Sequence, residues 1–293
     1  MRTYQIHCLS EAVSPITHMS GSAGNESIVA RERVLTEKGW TTIPFLSGNA
    51  LRHRAIREPG AKWLIERYGL RGKLSLQQLN FLLHGGNLTM STANENTKRI
   101  AEMHRTWPLL RLLGGSLPDQ ILSGSLHVWR GSLVCEENRA AIATSFGQFP
   151  ATRLLSSELF LTSYQYTRGD AKKSGLCAER DDLPIDSNLM IFSGQAVAAN
   201  AIFYHGFVLQ EASEVELGAL LLSLRLWQAK GGTIGGNSRI GHGRLRLRLI
   251  DMVDDGQAVD AYVSHVDSVM DDAIAWLNDS FAGKAESKKK VKK

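Results

Sequence analysis

The alternation of apolar and polar positions predicts a chain that mixes strands and helices and contains no internal repeat. Segments 3–9, 121–129 and 201–209 have the length and pattern of strands, and 131–135 is predicted to continue the second of these or to pair with it. The apolar segment after Ser213 is predicted to be a helix, because Ser213 and Glu216 form the pattern of a capping box. This helix is expected to end at Gly231 and Gly232.

Another helix is predicted directly after the apolar segment 43–46. Ser47 or Asn49 can cap its first turn, since a short polar side chain can accept a hydrogen bond from a free backbone N–H there. Pro59 and Gly60 are expected to break the helix, because proline lacks the backbone donor that a helix interior requires. A second helical piece is then predicted over residues 61–68.

Three arginines, Arg52, Arg54 and Arg57, fall in the first turns of this helix. Positive charge near a helix start opposes the helix dipole, so these arginines cost stability unless an anion offsets them. This arrangement predicts an anion near the helix start. The alternative is a solvated helix face on which the arginines pair with Glu58 and Glu66.

The most distinctive segment is 231–243, where six of thirteen residues are glycine. Such a loop exposes backbone N–H groups and lets another backbone approach closely, which suits a phosphate chain. In the strand predicted to follow it, Arg244, Arg246 and Arg248 share one face and leucines share the other. The combination indicates a polyanion ligand, and the alternative is a mobile connection between a helix and a strand.

Two known phosphate motifs do not fit this loop. Residues 231–238 differ from a P-loop by having Asn237 in place of the lysine, and a P-loop follows a strand whereas this loop follows a helix. A dinucleotide-binding fingerprint also fails, because its third glycine would fall on Arg246. The sequence therefore gives little support to nucleotide hydrolysis.

Charge is distributed unevenly between the body of the chain and its C-terminal end. The net charge is +5 over 293 residues, and residues 284–293 carry six lysines and Glu286, which also amounts to +5. Residues 1–283 therefore carry no net charge. They are predicted to form one domain, followed by a basic disordered tail. A nucleic-acid groove must then come from local clustering of cations.

Several other classes of protein are disfavoured by composition. No apolar run reaches the roughly 18 residues of a membrane span, and no signal peptide is recognised. Cys8, Cys135 and Cys177 are odd in number and scattered, which argues against a disulfide framework and against a zinc site. We expect a cytoplasmic protein that does not bind membranes.

Segment 149–185 is polar and irregular, and aromatic and cationic residues alternate in its centre. Tyr164 and Tyr166 can stack on bases, and Arg168, Lys172 and Lys173 can hold phosphates. The segment is therefore a candidate for binding single-stranded nucleic acid. An ordinary surface hairpin would have the same composition.

The order of these motifs resembles that of a known family. Segment 43–52 at a helix start, the Leu-Leu-Gly-Gly of 112–115 before a strand, the polar insertion and the glycine loop occur in turn over about residues 3–249. This order resembles the RAMP superfamily of CRISPR effectors, specifically the Cas-seven backbone subunits, and among these it is most similar to the type IV subunit.

The resemblance implies an α+β fold: an RRM-like (ferredoxin-like) palm with helical insertions and an inserted thumb hairpin at about 153–186. It further implies a subunit that polymerises head to tail along crRNA, together with other effector subunits and a complementary target nucleic acid. No cofactor or metal is expected. The predicted RNA-binding residues are Ser47, Asn49, Arg52, His53, Arg54, Tyr164, Tyr166, Arg168, Lys172, Lys173, Gly235, Gly236, Asn237, Ser238, Arg239, His242 and Arg244.

One departure from the family pattern bears on catalysis. The resembling type III subunits carry a target-cleaving aspartate shortly before the proline-to-helix motif, whereas residues 25–35 contain no aspartate. The subunit is therefore expected to be noncatalytic. Two alternatives stay open: metal-dependent cleavage of target RNA that uses Glu26 or Glu32, and an enzyme whose glycine loop binds a phosphorylated ligand.

Overall fold

A computed structural model describes residues 1–23, 26–89, 96–146, 154–167, 191–250, 252, 254 and 256–282. The strands are β1 (Arg2–Ala12), β2 (Met19–Ala23), β3 (Glu26–Val29), β4 (Arg31–Thr36), β5 (Gly39–Leu46), β6 (Gly115–Ser116), β7 (Ile121–Leu122), β8 (Leu126–Val128), β9 (Gly131–Leu133), β10 (Leu161–Thr167), β11 (Ile191–Val197), β12 (Ile202–Ala212) and β13 (Leu245–Leu249).

The helices are α1 (Gly48–Leu51), α2 (Glu58–Arg67), α3 (Leu76–His84), α4 (Thr97–Thr106), α5 (Pro108–Leu113), α6 (Arg139–Phe146), α7 (Glu214–Ala229), α8 (Gln257–Ser268) and α9 (Met270–Phe281). A π-helical stretch, Arg52–Arg57, joins α1 to α2. Short 3₁₀ turns occupy Ser157–Phe160 and Ser238–Ile240. No helix in the described part of the chain is both long and apolar enough to cross a membrane.

The main sheet is antiparallel and has the order β13-β1-β12-β9-β5-β4, with β8 also paired to β12. On β1, Ile6, Cys8 and Ala12 enter the principal core, in which α7 contributes a row of leucines. Leu9 points to the other face, where it belongs to a smaller apolar cluster with Tyr204. The chain thus has the predicted α+β fold with an RRM-like palm.

The helical run from α1 to α2 is continuous, so the predicted break at Pro59 and Gly60 is wrong. Pro59 lies where the π-helical stretch changes to α2, so its missing donor falls at a change in the hydrogen-bond pattern and the helical run continues through it. Gly60 serves packing, because a Cβ there would lie 2.5 Å from the Ser223 Oγ and 2.8 Å from a Leu109 methyl carbon. Glycine therefore lets α2 lie close to α5 and α7.

The predicted strand over 121–129 is also wrong, since it is divided into β7 and β8. β7 pairs with β6 in a separate two-stranded sheet, and β8 pairs with β12. Between them, a Cβ at Gly124 would lie 2.5 Å from the Leu112 carbonyl oxygen. This close approach to α5 interrupts the strand, while β9 forms within the segment predicted as its continuation or partner.

Strands β10 and β11 pair in antiparallel register and extend a second sheet with the order β10-β11-β3-β2. Thr167 and Ile191 are register partners, so the insertion 168–190 begins and ends at neighbouring positions of the two strands. Residues 168–190, which include more than half of the predicted thumb (about 153–186), and the basic tail 284–293 lie outside the described residues.

Candidate nucleic-acid interface

The glycine loop (residues 231–243) connects α7 to β13 and is closed at its neck by backbone hydrogen bonds. The Ile234 N–H donates to the Gly243 carbonyl at 2.7 Å, and the Leu245 N–H donates to the Gly232 carbonyl at 3.0 Å. Gly243 has φ +80°, and a Cβ there would lie 2.1 Å from the Ile234 oxygen. The glycine at this position therefore allows the two sides of the neck to meet.

Gly235 and Gly236, both predicted to approach phosphate, differ in their surroundings. Gly235 has φ +73°, and a Cβ there would lie 2.4 Å from the Thr17 carbonyl oxygen, so its close neighbour is the chain itself. Gly236 donates its N–H to the same oxygen at 2.8 Å. The nearest atom to a Cβ at Gly236 is a terminal carbon of Met19, at 3.4 Å. Gly236 therefore faces the more open space.

The tip of the loop is where free backbone donors occur. Asn237 adopts a left-handed conformation with φ +58°, and the 3₁₀ turn Ser238–Ile240 follows it. The N–H groups of Asn237, Ser238 and Arg239 find no acceptor among the described residues. Ser238 and Arg239 are exposed, so this part of the loop can donate hydrogen bonds to an anion.

The loop tip contacts the base of the predicted thumb. The Asn237 Nδ2 donates to the Tyr164 hydroxyl at 2.8 Å, and the Tyr164 ring meets the His242 ring edge-on at 4.9 Å. Tyr164 and Tyr166 lie parallel at 6.4 Å, and Tyr166 stacks on Phe192 at 5.2 Å. The structure thus brings the loop and the hairpin strands together beside a row of aromatic rings.

The segment Thr17–His18, which the sequence did not single out, joins the loop to the start of α1. The Thr17 Oγ1 hydrogen-bonds the His242 Nδ1 at 2.8 Å, and the Ser47 N–H donates to the His18 Nε2 at 3.1 Å. Burial lowers the pKa of His18 and of His242, which favours neutral imidazoles, and a neutral His18 can accept the hydrogen bond from the Ser47 N–H. Ser47 caps α1 by accepting from the Ala50 N–H at 3.1 Å.

The arginine row on β13 has the predicted arrangement. Arg246 and Arg248 are exposed, whereas Leu245 is buried. Arg244, just before the strand, is exposed as well. Arg246 lies 3.5 Å from the Glu11 carboxylate, a distance that leaves this pair weak. The exposed guanidinium groups therefore remain accessible to a polyanion beside the glycine loop.

The start of the helix is flanked by two clefts of about 560 Å³ each. Asn49 and Arg52 line both clefts. The first cleft extends towards His127 and Trp129, and the second is bounded by His53, Arg57 and His84. Arg54 lines neither cleft, and its guanidinium lies 2.9 Å from the Glu58 carboxylate. The structure therefore groups Asn49, Arg52 and His53 but not Arg54.

Arg57 is buried rather than solvated. Its guanidinium donates to the carbonyl oxygens of Gly114 at 2.7 Å, Leu113 at 3.3 Å and Phe81 at 3.4 Å. The Arg52 guanidinium also donates to the Leu113 oxygen. Burial and the neighbouring Arg52 lower the pKa of Arg57 to about 10, which leaves it charged at neutral pH. Pairing with Glu58 and Glu66, the alternative for the three arginines, occurs only at Arg54.

Arg168, Lys172 and Lys173, the predicted cations of the thumb, lie outside the described residues. Glu26 begins β3, and Glu32 on β4 forms an ion pair with Arg130. Burial raises the pKa of Glu32, and Arg130 opposes that rise. In the described part of the chain, His, Cys, Asp and Glu side chains do not assemble in threes as metal ligands would.

The fold is similar to that of a chain in a solved structure described as a Type IV-B CRISPR Complex. The TM-score is 0.62, the sequences are 17% identical, and the similarity covers 85% of this chain and 92% of that chain. No family model matches the sequence, and no curated protein matches it. The likeness is therefore one of fold.

Proposed function

We propose that the chain is a noncatalytic backbone subunit of a class 1 CRISPR effector of type IV, which binds crRNA and stacks head to tail on it. Similarity of fold to a chain from a type IV-B complex supports this function at the level of architecture. Other effector subunits and a complementary target nucleic acid are its proposed partners. The glycine loop and the base of the thumb form the proposed guide-binding surface.

The observation that carries this proposal is the contact between the glycine loop and β10. The loop carries exposed backbone donors at Ser238 and Arg239, and it continues in the chain into the arginine row of β13. A hydrogen bond joins the same loop to β10, where the rings of Tyr164 and Tyr166 lie parallel. Backbone donors and guanidinium groups suit phosphates, and aromatic rings suit bases, so the surface matches a single-stranded nucleic acid. A surface for a small phosphorylated ligand would not need the exposed arginines along β13.

Assembly on RNA tests the proposal directly. The protein coexpressed with guide RNA is expected to purify with that RNA as elongated particles, visible by negative-stain microscopy and sequencing of the bound nucleic acid. Its affinity should fall with rising salt because phosphate contacts release counterions. Elution as a monomer free of nucleic acid would contradict the proposal and would favour the enzyme with a phosphorylated ligand.

Gly236 provides a local test, because the space beside it is open. Gly236→Val should reduce guide affinity about tenfold, equivalent to about 1.4 kcal/mol, by placing a branched side chain in front of the loop donors. Gly236→Ala is the matched control, with a smaller reduction expected. Both variants should unfold at the wild-type temperature, and wild-type affinity in a folded Gly236→Val protein would count against the loop as a phosphate site.

A cleavage assay with variants of Glu26 and Glu32 tests whether the protein binds RNA without cleaving it. The Glu32 carboxylate already pairs with Arg130, which reduces its capacity to hold a divalent metal. The assembled protein is expected to leave a complementary RNA intact in the presence of Mg²⁺ or Mn²⁺, with or without Glu26→Ala and Glu32→Ala. Cleavage at regular intervals that Glu32→Ala abolishes would establish the cleaving alternative.

A further inference from the structure

The β4–β5 hairpin presents an apolar face that the rest of the described chain leaves largely uncovered. Val34 and Ile43 pack into the principal core, so alternation points the side chains of the opposite face outwards. On that face Leu35 and Trp40 are register partners, and they are 64% and 61% exposed. A large apolar pair this exposed on a folded domain indicates a contact with another molecule.

Only the base of the outward face is covered. The 3₁₀ turn Ser157–Phe160 contacts it there, and the Glu158 carboxylate forms an ion pair with Arg31 at 3.1 Å. Leu159, in the same turn, is 68% exposed and adds a further apolar side chain beside the hairpin. We call this region the hairpin surface, and it comprises Arg33, Leu35, Glu37, Trp40 and Leu159.

The hairpin surface carries one cation and one carboxylate that have no oppositely charged partner among the described residues. The guanidinium carbon of Arg33 lies 5.0 Å from the centroid of the Trp40 ring, in a cation–π contact that leaves the charge without a carboxylate. Glu37 is exposed in the turn of the hairpin. Lys38 beside it is already paired, because its ammonium lies 3.3 Å from the Glu136 carboxylate.

This charge pattern decides which partner fits the surface. A nucleic-acid strand is disfavoured, because Arg33 is matched by Glu37 and no excess of positive charge is left to bind phosphates. In a two-fold contact, each residue of one copy meets the residue that meets it in return. Arg33 and Glu37 lie two positions before and two positions after Leu35. An axis near Leu35 therefore brings the cation of each copy to the carboxylate of the other, so the surface is complementary to itself.

We propose that two copies of the chain pair through the hairpin surface about a two-fold axis. The apolar side chains of both copies form the centre of the contact, and an Arg33–Glu37 ion pair lies on either side of it. Tryptophan and arginine are the side chains that most often dominate the binding energy of an interface. The contact goes beyond the proposed function, because head-to-tail stacking on RNA joins two different surfaces, whereas this one joins identical surfaces.

Charge reversal tests whether the partner is a second copy. Full-length protein freed of RNA by nuclease treatment is followed by sedimentation velocity from about 1 to about 100 µM, the range of a weak contact. The wild type is expected to dimerise as its concentration rises. Arg33→Glu and Glu37→Arg each place like charges opposite one another twice in a homodimer, so each should weaken dimerisation by at least about tenfold.

Mixing the two variants distinguishes self-pairing from any other explanation. In a heterodimer of Arg33→Glu with Glu37→Arg, both contacts again join opposite charges, so an equimolar mixture should regain most of the wild-type dimer. The double variant Arg33→Glu/Glu37→Arg should pair with itself for the same reason. Trp40→Thr keeps a residue suited to a strand but removes the apolar centre, so it should abolish the dimer.

Arg71→Glu is the matched control, since it reverses an exposed charge outside the hairpin surface. It should dimerise as the wild type does, and circular dichroism should show all variants folded. A wild type that stays monomeric over the whole concentration range would overturn the proposal. A dimer that Arg33→Glu and Trp40→Thr leave unchanged would overturn it as well, and failure of the mixture to pair would overturn the two-fold arrangement.

This contact and the proposed function can fail independently. A protein that assembles on guide RNA but is monomeric without it loses the two-fold contact alone. A protein that dimerises through the hairpin surface but never assembles on RNA retains the contact and loses the proposed function.

Discussion

The glycine loop and the second cleft both combine glycine with cations, but the cations are exposed in one and buried in the other. In the loop, Gly235 and Gly243 serve internal packing and the cations, such as Arg239, are exposed. In the cleft, Gly86 and Gly124 likewise pack against the chain itself, but Arg57 is buried against three carbonyl oxygens. Substituting an exposed cation of the loop should therefore change ligand binding without changing the free energy of unfolding. Substituting the buried Arg57 of the cleft should change the free energy of unfolding as well.

Arg57 provides the largest expected effect. Arg57→Met would leave buried carbonyl oxygens without a donor, so we expect the free energy of unfolding to fall by about 3 kcal/mol. Urea denaturation followed by circular dichroism measures this change. Arg54→Met is the matched control, because Arg54 is exposed and its ion pair with Glu58 should contribute about 0.5 kcal/mol. Similar losses in the two variants would remove the contrast between buried and exposed cations.

Gly235 and Gly236 sharpen the comparison within the loop. Gly235→Ala forces a side chain into a left-handed conformation against the Thr17 carbonyl, so we expect a loss of about 2 kcal/mol. Gly236→Ala should change the free energy of unfolding by less than about 0.5 kcal/mol. Thermal unfolding of both variants measures the difference. Equal stability would mean that Gly235 is not required for the loop to pack on Thr17.

Tyr164 tests the coupling between the loop and the hairpin strands. Tyr164→Phe removes the acceptor of the Asn237 side chain, and we expect a cost of about 1 kcal/mol. Hydrogen exchange at the Gly236 and Gly243 amides should accelerate, since both anchor the loop to the segment before β2. Tyr166→Phe keeps its ring contacts and should leave exchange unchanged. Unaltered exchange in Tyr164→Phe would show that the loop is held independently of β10.

The smallest expected effect concerns the arginine row. Arg248→Ser should leave stability unchanged and should reduce the slope of log affinity for RNA against log salt by about 0.7, as one lost phosphate contact does for a single strand. Fluorescence anisotropy at several salt concentrations measures the slope. Arg71→Ser is the control, because Arg71 pairs with Glu66 at 3.3 Å. An identical slope for Arg248→Ser and the wild type would show that the bound RNA does not contact β13 at Arg248.

Local patterns in the sequence correctly predicted features that depend only on neighbouring residues. Alternation placed Arg246 and Arg248 on the exposed side of β13, and the Ser213–Glu216 capping box forms at the start of α7 as predicted. Each of these follows from a repeat distance or a cap that operates within a few residues.

Features that depend on distant packing were missed. Gly60 looks like a helix break in sequence, but its role comes from Ser223 and Leu109, which lie far along the chain. The second cleft joins residues near 52, 84 and 114, and no spacing rule connects those segments. His18 was missed for the same reason, since its hydrogen-bond partner Ser47 lies 29 positions further along the chain. The signal available in the sequence was the group of three arginines, Arg52, Arg54 and Arg57, in the first turns of one helix.

The position of β13 at one end of the main sheet has a consequence for how the protein behaves at high concentration. β13 pairs only with β1 among the described strands, so its outer backbone groups could template pairing with another chain. Charged side chains at Arg246 and Arg248 discourage such strand addition. Neutralising this row to weaken nucleic-acid binding should therefore also lower solubility, and light scattering of the unbound protein should accompany any such affinity measurement.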